Sequence, residues 1–466
     1  MDYDYEVLII GAGLSGLAAG IRLAHFGRRV CILEKQVRAG GLNSWYPFQG
    51  RILDVGLHAV TNYVPRSVKS APLARILRQL RLSHDDLRLC PQRISRIIFP
   101  EKELSFTNDF QLLVQEIADK FPSQVDGFLK LTSSLADYAE LSSPGREVVS
   151  ARKVLKQFLS DPLLIEMLLC PIMFYGNCRE DDMDFVQFSI LFRSIFTEGF
   201  ARPKLGMRQV IQLLVDKYQE SGGELRYGCQ VHKLIIHQGR VAEVHLANGR
   251  IMQAKVIIST VGLPETRLLC SFWPAEAKEP KPGEISFVES ILMLDCLPSQ
   301  SLGFETTILF YNDTEHFVYR KPNGLINSLS GVICCPNNYQ EDEQMSTEGL
   351  VRLTHLANFD LWSRLDQDEY RRQKEHCLRE SLEKAERFIR GLGRHIVACD
   401  TFTPRTIQRF TARQKGAVYG TPDKLADGRT AIKNLYVCGT DQGLVGIVGA
   451  LLSGITVANR WVLYGA

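Results

Sequence analysis

Residues Glu6 to Ile10 pair a charged start with an unbroken aliphatic run, the pattern of a strand buried on both faces of a parallel sheet. Glycine ends the run at Gly11. From Leu17 to Gly27 the apolar positions recur at helical spacing, with small Gly20 facing the sheet and Gly27 placed to end the helix. Arg29 to Leu33 is a second strand that finishes at Glu34. Strand, turn, helix, strand is how a doubly wound α/β domain begins.

The pattern then changes. Between Pro65 and about Gly206 it is mainly helical, and Leu73, Ile76, Leu77 and Leu80 make an apolar stripe interleaved with Arg75, Arg78 and Arg81. Such a helix packs on its own core or lies on a membrane. Pro162 to Tyr175 is apolar enough for a core or for the wall of a lipid-sized tunnel. Residues 222 to 266 read as several short strands with Asn248-Gly249 as a hairpin turn. From Glu284 to about Asp360, runs such as Thr306 to Tyr311 and Gly331 to Cys335 predict a second sheet. Asp366 to Arg390 predicts one long charged helix whose solvated face carries pairs such as Glu380 with Lys384. Gln442 to Asn459 is 18 residues without a charge, near the length of a membrane span. It follows the strand-like run Asn434 to Cys438 and a Gly-Thr-Asp turn, and its small residues suit close backbone approach, so a buried helix is expected.

Length and charge narrow the picture. At 466 residues and 45% hydrophobic content the chain is long enough for two or three lobes. Fifty-five basic residues against 52 acidic ones leave +3, which gives no reason to expect nucleic acid. Twelve cysteines without a CxxC pair read as thiols in a reducing compartment. Acidic residues stand where a signal peptide is positive, so the expected location is cytoplasmic, with association to a membrane surface left open. No HExxH, nucleophile elbow or metal-ligand histidine spacing occurs, and no metal is expected.

The chemistry sits in the glycines. Gly11, Gly13 and Gly16 supply a tight turn, a position where a pyrophosphate can approach the backbone, and a close helix-to-strand contact. Glu34 stands where an acidic side chain bonds ribose hydroxyls, which favours FAD or NAD over NADP. A second glycine turn follows, Lys35-Gln-Val-Arg38-Ala-Gly40-Gly41-Leu42, with Lys35 and Arg38 placed to pair with a pyrophosphate. An NAD enzyme has no need of it.

That second turn resembles the RxGG segment of the flavoprotein superfamily of monoamine oxidase, protoporphyrinogen oxidase and the phytoene desaturases. Many members carry arginine after the glycine pair, where this chain has Leu42. Gly439-Thr-Asp441 with Gly446 to Ala450 resembles the C-terminal flavin motif. The resemblance implies Asp441 near the ribityl chain and pyrophosphate, and backbone around Val448 at a helix N-terminus beside the flavin N1 and O2 edge. It also implies that Val231 holds the adenine through its backbone. Asp54-Val-Gly56-Leu-His58, Gly206-Met207, and Thr403-Pro404 with Gly416 to Gly420 resemble the branch of phytoene desaturase, carotenoid isomerase and retinol saturase.

The expected fold is α/β: a discontinuous Rossmann-like FAD-binding domain (1–65, 206–270 and 395–466), a helical lobe (66–205) and a mixed-sheet substrate domain (271–394). The expected function is FAD-dependent desaturation, saturation or isomerisation of double bonds in a polyisoprenoid, a hydrophobic small molecule, by hydride transfer at flavin N5. His58 is the candidate acid or electrostatic partner, against a hydrogen-bonded structural histidine. A flavin amine oxidase and a non-catalytic FAD-binding protein are the alternatives.

Overall fold

The structure is a computed structural model that describes residues 3–139, 147–340 and 347–465. In chain order, β1 (Tyr5–Ile10), α1 (Leu14–His25) and β2 (Val30–Leu33) are followed by a hairpin of β3 (Trp45–Phe48) and β4 (Arg51–Asp54), then α2 (Pro72–Leu80). Strands β5 (Leu89–Pro91), β6 (Ser95–Ile98) and β7 (Glu103–Phe106) precede five helices, α3 (Phe110–Lys120), α4 (Val125–Ala139), α5 (Ala151–Phe158), α6 (Pro162–Gly176) and α7 (Phe185–Phe192). Next come β8 (Ala201–Pro203), α8 (Met207–Glu220), β9 (Glu224–Arg226), β10 (Val231–His237), β11 (Arg240–Leu246), β12 (Ile251–Met252), β13 (Ala254–Ser259) and α9 (Leu263–Leu269). The last third holds β14 (Ser286–Leu294), α10 (Pro298–Ser301), β15 (Ile308–Asn312), β16 (Ile326–Cys334), β17 (Gly349–Ala357), α11 (Phe359–Arg364), α12 (Gln367–Glu386), β18 (Ile396–Phe402), α13 (Pro404–Thr411), β19 (Leu435–Val437) and α14 (Gly446–Val457).

Two sheets organise these elements. A five-stranded parallel sheet has the order β19-β13-β1-β2-β9, so strands from both ends of the chain and from its middle build one nucleotide-type domain. The second is seven-stranded, β18-β14-β17-β16-β15-β6-β7, antiparallel except where β15 meets β6, which makes it mixed. Alternation along its strands gives two faces. Phe287, Phe310 and Leu356 point into the core of the helical lobe, while Leu292, Leu309 and Leu353 point toward α12.

Several boundaries differ from the sequence reading. Strand β18 belongs to the second sheet, paired with β14, so the substrate domain runs on past 394 to Phe402. Strands β6 and β7, expected inside the helical lobe, are its other edge. Helix α2 packs its stripe of Leu73, Ile76, Leu77 and Leu80 into the nucleotide-domain core beside Leu214 and Leu451, so the stripe is not free to meet a membrane. The expected Glu380–Lys384 pair does not form: Lys384 reaches Asp313 at 2.9 Å and Glu380 accepts from Ser328, because partners on the sheet compete with a weak surface pair. Among the described residues one helix, Gly446–Leu463, passes for a membrane span by length and composition. It packs backbone to backbone on α1, where a Cβ on Gly454 would lie 2.0 Å from the carbonyl oxygen of Ser15.

His355 on β17 points to the α12 side, with Nε2 2.7 Å from the Tyr311 hydroxyl and Nδ1 3.1 Å from Ser381 Oγ. Burial, reinforced by Lys384, pushes this imidazole down to about 4. The unfolded chain, with an ordinary histidine near 6.5, binds the extra proton first, so stability is lost as pH falls from about 6.5 to about 4. We expect His355 to account for a loss of roughly 3 kcal/mol across that window. Urea unfolding of wild type and His355→Gln over this range checks it: the variant's curve flattens, and parallel curves would refute the assignment.

Candidate active site

The two glycine turns are stitched into one cradle. Gly11 has φ +99 and donates to Leu33 O at 2.9 Å, and a Cβ on Gly16 would lie 2.1 Å from the carbonyl of Gly11, so strand and helix meet without side chains between them. Over Gly13 the space is open: a Cβ there would meet nothing within 4 Å. Gly40 N–H donates to Ala12 O at 2.8 Å, and Gly41 faces Gly13, its Cβ position 3.6 Å from the Gly13 Cα. Glu34 ties the turn to β2, accepting from the backbone N–H of Ala12 and of Gln36 at 2.8 Å each. Burial pushes its carboxyl up against the pull of those two donors. Cys229 N–H reaches Glu34 O at 2.8 Å, which sets the start of β10, at Val231, beside the acidic end of β2. Leu42 lies against Gly56, whose Cβ would come within 2.7 Å of the Leu42 carbonyl oxygen.

The C-terminal segment closes the cradle. Gly439 lies against the start of α1, its Cβ position 3.4 Å from Ser15 Oγ, and its N–H donates to Ser453 Oγ at 2.6 Å. Helix α14 begins at Gly446, so the N–H groups of Gly446, Ile447 and Val448 have no partner within the helix and carry the positive end of its dipole.

Beyond that helix start lies the segment from Asp54 to Thr61. Leu57 and Val60 are buried in the nucleotide-domain core, whereas His58 turns to the second sheet and stays partly exposed. Its Nε2 is 3.5 Å from Glu289 Oε1 and 3.2 Å from Thr354 Oγ1, and its Nδ1 is 3.4 Å from the Tyr175 hydroxyl. Glu289 is buried and bonded to buried Arg352. Burial opposes its charge, yet the Arg352 guanidinium and the His58 ring hold the carboxyl below its ordinary range. Glu289 thus stands behind Nε2 of His58, with the phenol on the Nδ1 side. Burial raises the Tyr175 phenol well above its ordinary range, so it remains a donor.

The backbone of this segment is pinned from three sides. Arg352 donates to the carbonyls of Asp54 at 2.9 Å and Val55 at 2.6 Å, Arg202 to Leu57 O at 3.0 Å, and the Tyr339 hydroxyl to His58 O at 2.8 Å. Ala59, Tyr175, Tyr419 and Val445 pack on the helical-lobe core yet stay partly exposed. Gly176 places the end of α6 against Val445, for its Cβ would fall 2.8 Å from Val445 Cγ2. A histidine with a carboxylate behind it thus lies beside the Tyr175 ring, and Thr61, three residues on, lies by Gly446 at the start of α14.

Residues 14–461 match the family described as flavin containing amine oxidoreductase. The chain belongs to that family. Prolycopene isomerase 2, chloroplastic, of an Oncidium hybrid cultivar is 24% identical over 98% of this chain and 84% of its own length. All-trans-retinol 13,14-reductase of Danio rerio is 22% identical over 98% of this chain and 86% of its own length. The fold is that of an oxidoreductase from Methanosarcina mazei, at a TM-score of 0.69 and 18% identity, covering 97% of this chain and all of that one. The protein is an FAD-dependent oxidoreductase of the branch that holds carotenoid desaturases, prolycopene isomerases and retinol reductases. The cradle fits FAD, with open space over Gly13 and unpaired helix N–H groups at α1 and α14.

Three side chains assigned to the flavoprotein cofactor by sequence have partners of their own. Lys35 donates to the carbonyl of Arg409 at 3.1 Å, and Arg38 lies over the Trp45 ring, 4.9 Å from its centroid. The Asp441 carboxylate, implied to reach the ribityl chain, instead accepts from Leu263 N–H at 2.6 Å and Thr421 N–H at 3.0 Å, and Arg413 Nη1 stands 3.3 Å away. A carboxylate so bonded clasps three segments around the cradle. Sequence reading missed Glu289, Arg352, Thr354 and Tyr175. A signal existed for two of them: Glu289 and Arg352 are single charges inside the otherwise uncharged runs SFVESILML and, but for one histidine, GLVRLTHLA.

Gly13 has φ −71 and ψ 176, a conformation open to any residue. Gly13→Val is therefore expected to fold with wild-type circular dichroism and melting behaviour while its flavin-to-protein absorbance ratio falls toward zero. Gly11→Val, with positive φ and Thr260 Oγ1 2.5 Å from its Cβ, is expected to fail at folding itself. Full flavin content in Gly13→Val would remove the open space from the cofactor site.

Proposed function

We propose that the protein acts on double bonds of a polyisoprenoid chain held beside Tyr175 and Tyr419, with His58 carrying the proton of the reaction. The observation that supports this most is the Glu289–His58–Tyr175 array. Bound FAD supplies hydride acceptance or donation at its N5. The Gly11–Gly16 and Gly40–Gly41 turns, Glu34, and the backbones of Val231, Gly439 and Val448 would hold it.

Forming a double bond removes a hydride from one carbon and a proton from its neighbour, and the protein's part is the proton. Neutral His58 offers Nδ1 as the base, with Glu289 steadying the imidazolium that results and Arg352 keeping Glu289 ionised. Saturation runs the same proton the other way, and isomerisation returns it to a different carbon. The aromatic faces of Tyr175 and Tyr419 suit a polyene, and an electron-poor stretch of conjugated carbon is favoured over such faces. An ammonium substrate would find Glu289 already neutralised by Arg352, which disfavours amine oxidation.

Expression in a bacterial strain that makes lycopene precursors, with retinol supplied in a parallel culture, tests the reading. Wild type is expected to change the polyene profile. His58→Ala is expected to lose about 100-fold or more of that conversion while retaining its flavin, in line with the worth of a general acid or base. No change in any polyene, together with hydrogen peroxide formed from amines, would overturn it.

A further inference from the structure

The far end of the second sheet carries a chemistry that the flavin site does not use. Strand β14 ends just before Asp295 and Cys296, and His395 directly precedes β18. The pairing of the two strands draws these residues together across 100 positions of sequence: Asp295 N–H donates to His395 O at 3.0 Å, and His395 Nδ1 stands 2.8 Å from Asp295 Oδ1. Cys296 completes the group. Donor atoms of all three lie within 4.8 Å of one another, the one such grouping of three or more among the described residues. No spacing rule could find it, since the ligands arrive from two strands.

We propose that Asp295, Cys296 and His395 form a binding site for a divalent first-row cation, with Zn2+ as its representative. One carboxylate, one thiolate and one imidazole make a mixed O, S, N donor set that suits an ion of borderline softness. Ligands of a tetrahedral zinc with bonds of about 2.0–2.3 Å stand about 3.5 Å apart. Small side-chain rotations therefore close the set around an ion. The backbone beneath is fixed, because a Cβ on Gly349 would lie 2.2 Å from Cys296 O, so the start of β17 presses directly on the thiol-bearing residue. The arriving cation displaces the Cys296 proton to solvent as the S–metal bond forms.

Asp295 is 57% and His395 35% exposed in their side chains, so the fourth coordination position faces water. A bound ion would clip the edge strand β18 to β14 at their shared end. It would share no ligand with the His58 array.

The test uses the flavin-loaded full chain, kept reduced by a phosphine. Zn2+ titrated against a chromophoric chelator is expected to show one tight site per chain, and Co2+ to give ligand-field bands at wavelengths beyond the flavin's. Cys296→Ser and His395→Ala, both at accessible positions, should each weaken binding by at least about tenfold and abolish those bands. Flavin content and polyene conversion should not change in either variant. Absence of stoichiometric Zn2+ binding, or equal binding by wild type and both variants, would overturn the proposal whatever the outcome of the polyene experiments.

Discussion

A single buried guanidinium holds the protein's two halves in register. Arg352 projects from the middle of the second sheet, pairs with Glu289 on the next strand, and spends its remaining hydrogen bonds on carbonyls of Asp54 and Val55, which belong to the segment leaving the nucleotide domain. A charge so deeply buried is tolerable only when it is paired and its donors are filled, and removing one partner of such a pair typically costs about 3–5 kcal/mol. The same contacts fix where His58 stands and keep the carboxylate behind it ionised. One side chain thus serves both domain docking and the reactive constellation, with Arg202 and Tyr339 pinning the same segment.

The legible and illegible parts of the sequence divide along a physical line. Glycine turns, the two flanking strands and the α1 helix were readable because each is specified by neighbours in the chain: Gly11, Gly16 and Gly27 do locally what their spacing implies. The His58 array was not readable, because Glu289, Thr354 and Tyr175 reach it from elements more than a hundred residues away. Sheet membership was misjudged for the same reason. Strands β6, β7 and β18 have short, ordinary patterns, and only pairing across the domain boundary decides where they belong. Isolated charges in buried strands were the remaining clue, and they point to networks rather than to surfaces.

The cofactor cradle also shifts the weight from side chains to backbone. Lys35, Arg38 and Asp441 also have contacts within the protein: a carbonyl, the Trp45 ring and backbone N–H groups. Peptide N–H groups, two helix N-termini and positions without a Cβ face the cradle beside the Glu34 carboxylate. Such a site resists drift in sequence, since few substitutions alter a backbone, and this accords with recognisable family membership at 24% identity to its relatives.

The strand order of the nucleotide sheet carries a consequence for biogenesis. Its edge strand β19 and the helix α14 that packs on α1 come from the last part of the chain, whereas β1 and α1 come from the first. Contacts between partners of such sequence separation form slowly. Until they form, β1 and α1 lack these partners, and transiently uncovered apolar surface of this kind invites chaperone capture. A cradle built from elements so far apart in sequence is complete only once those segments have met.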